Sequence, residues 1–177
     1  MKAMSEITPG SNSNLIIRDD DVSLYTNSYQ FKTIHEQFLK EGKTHTAAVL
    51  MKDLWQNHAL FYYLATAPNL EIGLHGWEHK DYSKMTYEDC HTDIKRSLDY
   101  WNENSLRMVG HSKPINTFFA PWNREGENIK KACADNGLKF CNIGKGQWEG
   151  KEIKSLHWWN MMRVDEDNFT INDVLDA

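Results

Sequence analysis

Cysteine is scarce in this chain. Three residues in 177, Cys90, Cys133 and Cys141, are too few and too widely spaced for a disulfide framework or a Cys-x-x-Cys metal knuckle. The odd count fits a reducing compartment, in which each thiol is expected to be a small buried apolar group. No apolar run approaches the roughly 20 residues of a membrane span. Residues 1–14 are polar and lack the apolar core of a secretion signal, so the expected location is cytoplasmic. Clustered positive charge is missing as well. The net charge is -5 and the densest basic pairs, Lys95-Arg96 and Lys130-Lys131, fall on helical stretches as solvated faces, which argues against a nucleic-acid partner. Repeats, linkers and low-complexity segments are absent, so residues 1–177 are expected to form a single domain.

What is present is a regular alternation of short apolar runs and helical patterns. Leu15-Ile16-Ile17 reads as a strand that ends in Arg18-Asp19-Asp20-Asp21. Strands are further expected at Thr46–Met51, Leu70–Leu74, Ile115–Ala120, Lys139–Ile143 and Ser155–Trp159. Helices are expected at Tyr29–Glu41, Asp53–Thr66, from Thr86 to about Val109, and Glu125–Asn136. Gly42 and Gly137 close the first and last of these, and Thr86-Tyr87-Glu88-Asp89 resembles a capping box. Strand–helix alternation implies βαβ units and a mainly parallel sheet or barrel, in which ligands gather at the carboxyl ends of the strands. The three acids, His75 and His79, Pro121-Trp122 and His157 all fall at or near such ends.

Each of these groups has a chemical and a plain structural explanation. His75 and His79 are four residues apart, a spacing that places two imidazoles on one side of a helical turn; two ring nitrogens and a carboxylate suit zinc or another first-row metal. The same spacing also arises between two ordinary histidines. Three consecutive aspartates repel one another, and next to a cation one can be a ligand while its neighbour accepts a proton from water. A surface loop also carries such runs. Neighbouring side chains of a strand point to opposite faces, so one acid would have to leave the strand as the turn begins. His157, among aromatic residues, is either a packed core residue or a general acid. Pro121-Trp122-Asn123 is either an ordinary turn or one that aims a backbone N–H at a developing oxyanion. Trp77, Trp122, Trp148, Trp158 and Trp159 are candidates both for the core and for stacking on sugar rings.

The order of these elements resembles the polysaccharide deacetylases, carbohydrate esterase family four. Residues 16–23 (IIRDDDVS) resemble the first motif, 71–83 (EIGLHGWEHKDYS) the second, 118–123 (FFAPWN) the third and 155–158 (SLHW) the fifth. The resemblance implies an α/β fold, a distorted or incomplete (β/α) barrel with mainly parallel strands. It also implies a divalent metal, Zn2+ first, held by Asp21, His75 and His79. Asp20 would be the base, His157 the acid for the leaving amine, and the Trp122 N–H an oxyanion donor. The alternative register makes Asp19 the base and Asp20 the ligand; Val22-Ser23 after the acids favours the first. The third-motif arginine that orients the base falls near Phe119 here, with Arg18 or Arg124 as replacements. The fourth motif has only Gln147-Trp148 to represent it.

The function so implied is metal-dependent hydrolysis of an N-acetyl group on a sugar or glycan. A cytoplasmic location would favour a nucleotide-sugar or lipid-linked intermediate over a wall polymer. The alternatives are an O-acetyl or non-sugar amide hydrolase of the same build, or a catalytically silent metal- or carbohydrate-binding domain.

Overall fold

The computed structural model describes residues 15–141, 147–148 and 151–156. In chain order the strands are β1 (Leu15–Val22), β2 (His45–Val49), β3 (Leu70–Leu74), β4 (Thr117–Phe119), β5 (Lys139–Cys141), β6 (Gln147–Trp148) and β7 (Lys151–Leu156). The helices are α1 (Ser28–Lys40), α2 (His58–Thr66), α3 (Tyr87–Val109) and α4 (Glu127–Asp135). The strands form one sheet in the order β5-β4-β3-β2-β1-β7-β6, parallel throughout except for the β6–β7 pair. This is the incomplete (β/α) barrel that the sequence implied.

Parallel strands covered on both faces read as continuous apolar or small runs. β2 shows this: all five of its residues, His45-Thr46-Ala47-Ala48-Val49, are buried. α3 supplies the opposite pattern, burying Cys90, Asp93, Ile94, Ser97, Trp101 and Ser105 at helical spacing. Its start is capped as the sequence suggested: the Thr86 hydroxyl accepts from the Asp89 N–H at 3.1 Å and donates to the Asp89 carboxylate at 2.8 Å. Its end is set by Gly110 at φ +77°. Trp101 anchors the helix against α2, packing against Phe61 at 5.0 Å, and donates its indole N–H to the Lys113 carbonyl. All three cysteines are buried.

Two expected elements differ. The stretch 53–66 is not one helix: Asp53 is left-handed (φ +54°), Leu54–Gln56 form a 3-10 turn, and the Asn57 side chain caps α2 by accepting from the Leu60 N–H. An Asn at that position competes with the helix and starts a new one instead. The last strand, expected over Ser155–Trp159, begins earlier: β7 covers Lys151–Leu156, and residues 157–159 lie outside the described residues. Lys-Glu-Ile-Lys-Ser-Leu lacks an apolar run, and its pairing comes from β1 on one side and the β6 hairpin on the other.

At the amino-terminal end of the sheet, far from the strand ends that carry the acids, His45 is fully buried between aromatic rings. It stacks on Phe38 at 4.6 Å and lies 5.3 Å from Phe31 and 5.5 Å from His35. Neither of its ring nitrogens has a hydrogen-bond partner among the described residues. Burial, aided by His35, lowers its pKa to about 3. The folded state therefore binds fewer protons than the unfolded state between pH 3 and the ordinary histidine range, and stability falls as pH drops through that window. Between pH 7 and pH 5 wild type should lose about 2 kcal/mol more than His45→Phe. Urea unfolding of both proteins at the two pH values measures this; identical losses would contradict it.

Candidate metal centre and active site

The site begins with a defect in β1. Asp19 pairs with Ala47, but Val22 pairs with Val49, so three steps along β1 oppose two along β2. The extra residue is a bulge, and Asp21 sits in it at φ +63°. Without the bulge, alternation would send Asp20 and Asp21 to opposite faces of the sheet. With it, Asp21 turns toward the loop after β3 while Asp20 stays on the Arg18 face.

That loop, His75-Gly76-Trp77-Glu78-His79, is a bend and not the helical turn that the four-residue spacing suggested. Its shape comes from backbone ties on both sides. The His75 N–H donates to Val49, and the carbonyls of Gly76 and Trp77 accept from Met51 and Lys52 at 3.1 and 2.9 Å. The Trp77 N–H is held from the helix side, by the Tyr82 hydroxyl and by Asp93 of α3, both at 3.2 Å, and Tyr82 itself donates to Asp93. Gly76 is required here: it lies at φ +103°, and a Cβ would stand 2.2 Å from the Tyr82 oxygen.

The result brings three of the expected residues together. Asp21 Oδ1 is 3.4 Å from His75 Nε2 and 3.3 Å from His79 Nε2. Two donors about 2.0–2.1 Å from one tetrahedral zinc stand about 3.3–3.4 Å apart, so the spacing fits that ion. Asp21, His75 and His79 also form the one cluster of metal-ligating type among the described residues, with donor atoms within 4.8 Å of one another. The chemistry agrees. His75 Nδ1 lies 2.7 Å from the Phe119 carbonyl, which can only accept, so Nδ1 carries the proton and Nε2 presents its lone pair. Burial lowers the His79 pKa, which favours its neutral, ligating form. Asp19, wholly buried, has its pKa raised well above normal by desolvation and then by the charges of Asp20 and Asp21. A cation at this end of β1 would relieve that repulsion.

The two candidate arginines take different places. Arg18 is fully buried and donates to Asp20, whereas Arg124 bonds Asp81 on the surface. Asp20, 5% exposed, is thus paired with Arg18 and directly precedes Asp21 of the candidate ligand set. Trp122 is 55% exposed, with φ +53° in the Pro121–Asn123 turn. Its ring meets His79 edge-on at 4.3 Å, and the hydrogen bonds closing the turn come from the N–H groups of Asn123 and Arg124, not from Trp122. Trp77 packs against the core instead, with Tyr100 edge-on at 5.3 Å and Arg96 over its face at 4.1 Å. His157, Trp158 and Trp159 lie outside the described residues, as do the side chains of Gln147 and Trp148. Leu156, which precedes His157, pairs with Asp19. The sequence reading missed Asp93 and Tyr82. The glycine before Trp77, which leaves room for the tyrosine, was the available signal.

A bulged parallel strand thus presents acids to a histidine-bearing loop on an incomplete barrel. Residues 23–141 match the family described as Polysaccharide deacetylase, and the chain belongs to that family. Among solved structures it is similar to BA3943 from Bacillus anthracis, a CE4 family pseudoenzyme, at 12% identity and a TM-score of 0.62, covering 82% of this chain and 55% of that one. The Bc1960 peptidoglycan N-acetylglucosamine deacetylase aligns at 14% identity and a TM-score of 0.60, covering 82% and 72%. A family 4 carbohydrate esterase from Bacillus anthracis aligns at 17% and 0.57, covering 81% and 66%. The chain thus spans little more than half the length of the first of these. No curated protein matches it in sequence.

Two outcomes follow from this geometry. Elemental analysis after dialysis against zinc should find about one zinc per chain in wild type and a near-complete loss in His75→Ala. Gly76→Ala should weaken zinc binding without touching a ligand and destabilise the fold by about 1–3 kcal/mol, measured by competition titration and thermal unfolding.

Proposed function

We propose that the chain is a metal-dependent hydrolase that removes the N-acetyl group from a sugar or glycan. The observation that carries this reading is the convergence of Asp21, His75 and His79 beside an Asp20 that is paired with the buried Arg18. Family membership and the likeness in fold to a peptidoglycan N-acetylglucosamine deacetylase favour an N-acetylated amino sugar over other acyl compounds.

Asp21, His75 and His79 would hold the metal, which would supply Lewis acidity and lower the pKa of water bound there toward neutrality. The protein's residues then divide the proton work. Asp20 accepts the proton lost by the attacking water. The Trp122 N–H, on a turn that does not use it, donates to the oxygen of the acetyl carbonyl as negative charge gathers there. His157 follows directly after Leu156, whose backbone lies beside Asp19. In this reading it gives a proton to the departing amine, which is otherwise a poor leaving group. The exposed Trp122 ring offers a face for the sugar.

A second reading has an observation in its favour. The place of the third-motif arginine falls near Phe119, and the structural neighbours include a pseudoenzyme and a mutant of it with restored activity. Under that reading the domain binds sugar and releases nothing.

Acetate release separates the readings. Zinc-loaded wild type should release acetate from N-acetylated amino-sugar oligomers, and more slowly from O-acetylated ones. Asp20→Asn should cut kcat by roughly 100-fold or more. His157→Ala should lower kcat far more than it alters KM. Sugar binding with no acetate across a panel of both substrate types would defeat the hydrolase reading, and near-normal kcat in His157→Ala would remove that residue from the mechanism.

A further inference from the structure

We infer that Arg18 is the positioning residue for Asp20, and that Phe119 and Gly73 form the seat that keeps its guanidinium in place. The inference rests on the proposed function only for what Asp20 does; the arrangement itself is read from the side chains.

Arg18 is wholly buried in the middle of the sheet, its backbone paired with Thr46 on one side and Ser155 on the other. A buried arginine costs several kcal/mol in desolvation unless its surroundings compensate. Two residues along an extended strand share a face, so Arg18 and Asp20 meet directly, and Nη2 of Arg18 donates to Asp20 Oδ2. The same nitrogen is 3.4 Å from Asn123 Oδ1, which connects the pair to the turn bearing Trp122. The guanidinium carbon lies over the Phe119 ring, 4.6 Å from its centroid. A desolvated cation on an aromatic face is stabilised by the ring quadrupole, and the planar guanidinium suits that stacking better than an ammonium.

The ring in turn needs space in the sheet. Gly73 of β3 provides it: a Cβ there would stand 2.2 Å from Phe119 Cε2. Glycine in a strand interior is otherwise unfavourable, and here its φ is not in the left-handed region, so the missing side chain and not backbone freedom is what the position uses. Gly73, Phe119, Arg18 and Asp20 thus make a stack running from β3 through β4 to β1. One carboxylate oxygen of Asp20 is committed to Arg18, which limits its rotation and keeps Asp20 out of the ligand cluster beside it. Position 119 also contributes its carbonyl to His75. Its side chain and its backbone therefore serve the base and the metal ligand separately.

The test uses the full chain, with zinc affinity by competition titration, thermal unfolding, and kcat and KM for acetate release. Arg18→Met leaves Asp20 without its cation next to Asp21. Zinc should bind at least threefold more tightly, because the site gains net negative charge and Asp20 becomes available as a further ligand. The same variant should lose about 100-fold in kcat with KM within about threefold. Arg18→Lys, which keeps the charge and loses the planar fork, should hold wild-type zinc affinity and recover only part of kcat. Phe119→Leu leaves the carbonyl in place and should lower kcat by about tenfold with zinc affinity unchanged. Zinc binding in Arg18→Met that is unchanged or weaker would overturn the inference, as would a wild-type kcat in Arg18→Lys. Should Arg18→Met not fold, the lysine and leucine variants decide by the same two readouts. Tighter zinc in Arg18→Met, with no acetate released even by wild type, would support the seat and sink the hydrolase reading alone.

Discussion

Three carboxylates on consecutive residues, at the end of a strand buried in the centre of a sheet, are the constraint to which the rest of the site answers. Like charges in a low-dielectric setting cannot all remain ionised without compensation. The protein disposes of them in three different ways. Asp20 is given an arginine, Asp21 is turned by a bulge toward two imidazoles and a place for a cation, and Asp19 is left buried with its protonated form favoured. A stability argument alone would have replaced such a cluster with apolar residues. Its presence in a strand that begins Leu-Ile-Ile is therefore a cost to the fold that the bulge, the arginine and the imidazoles offset.

The loop opposite is held with equal care. His75 and His79 are fixed less by their own contacts than by a frame of main-chain ties to β2 and by Asp93, which reaches the loop from α3 and takes both the Trp77 amide and the Tyr82 hydroxyl. Precision at a metal site usually depends on such supporting bonds, because the ligands cannot orient themselves. The frame places an acid of a surface helix in structural service of a centre that it does not touch.

Much of this was legible in the residues. Alternating apolar runs and helical patterns identified the parallel sheet, since buried strands and amphipathic helices leave distinct periods, and the Thr86 cap marked the start of α3. The pairing of Asp21 with His75 and His79 followed from motif order. The geometry behind that pairing was not legible: histidines four apart suggested a helical turn, whereas a bend pinned through Gly76 does the work. Lys151–Leu156 was misjudged because its pairing partners are distant in sequence and its own pattern is polar. The choice between Arg18 and Arg124 could not be made from spacing, because it depends on which one the sheet buries. The i,i+2 relation of Arg18 to Asp20 was visible, but the aromatic ring beneath the guanidinium and the glycine beneath the ring come from two other strands.

Phe119 shows why residue-by-residue motif matching misleads in this chain. What His75 draws from that position is a carbonyl oxygen, which every amino acid possesses, so the proton on its Nδ1 stays put whatever side chain is encoded there. The side chain at 119 carries no part of that bond and is left to a different task, lying under the guanidinium of Arg18. The carboxylate of Asp20 is thus met by a cation from its own strand and not from the turn after β4.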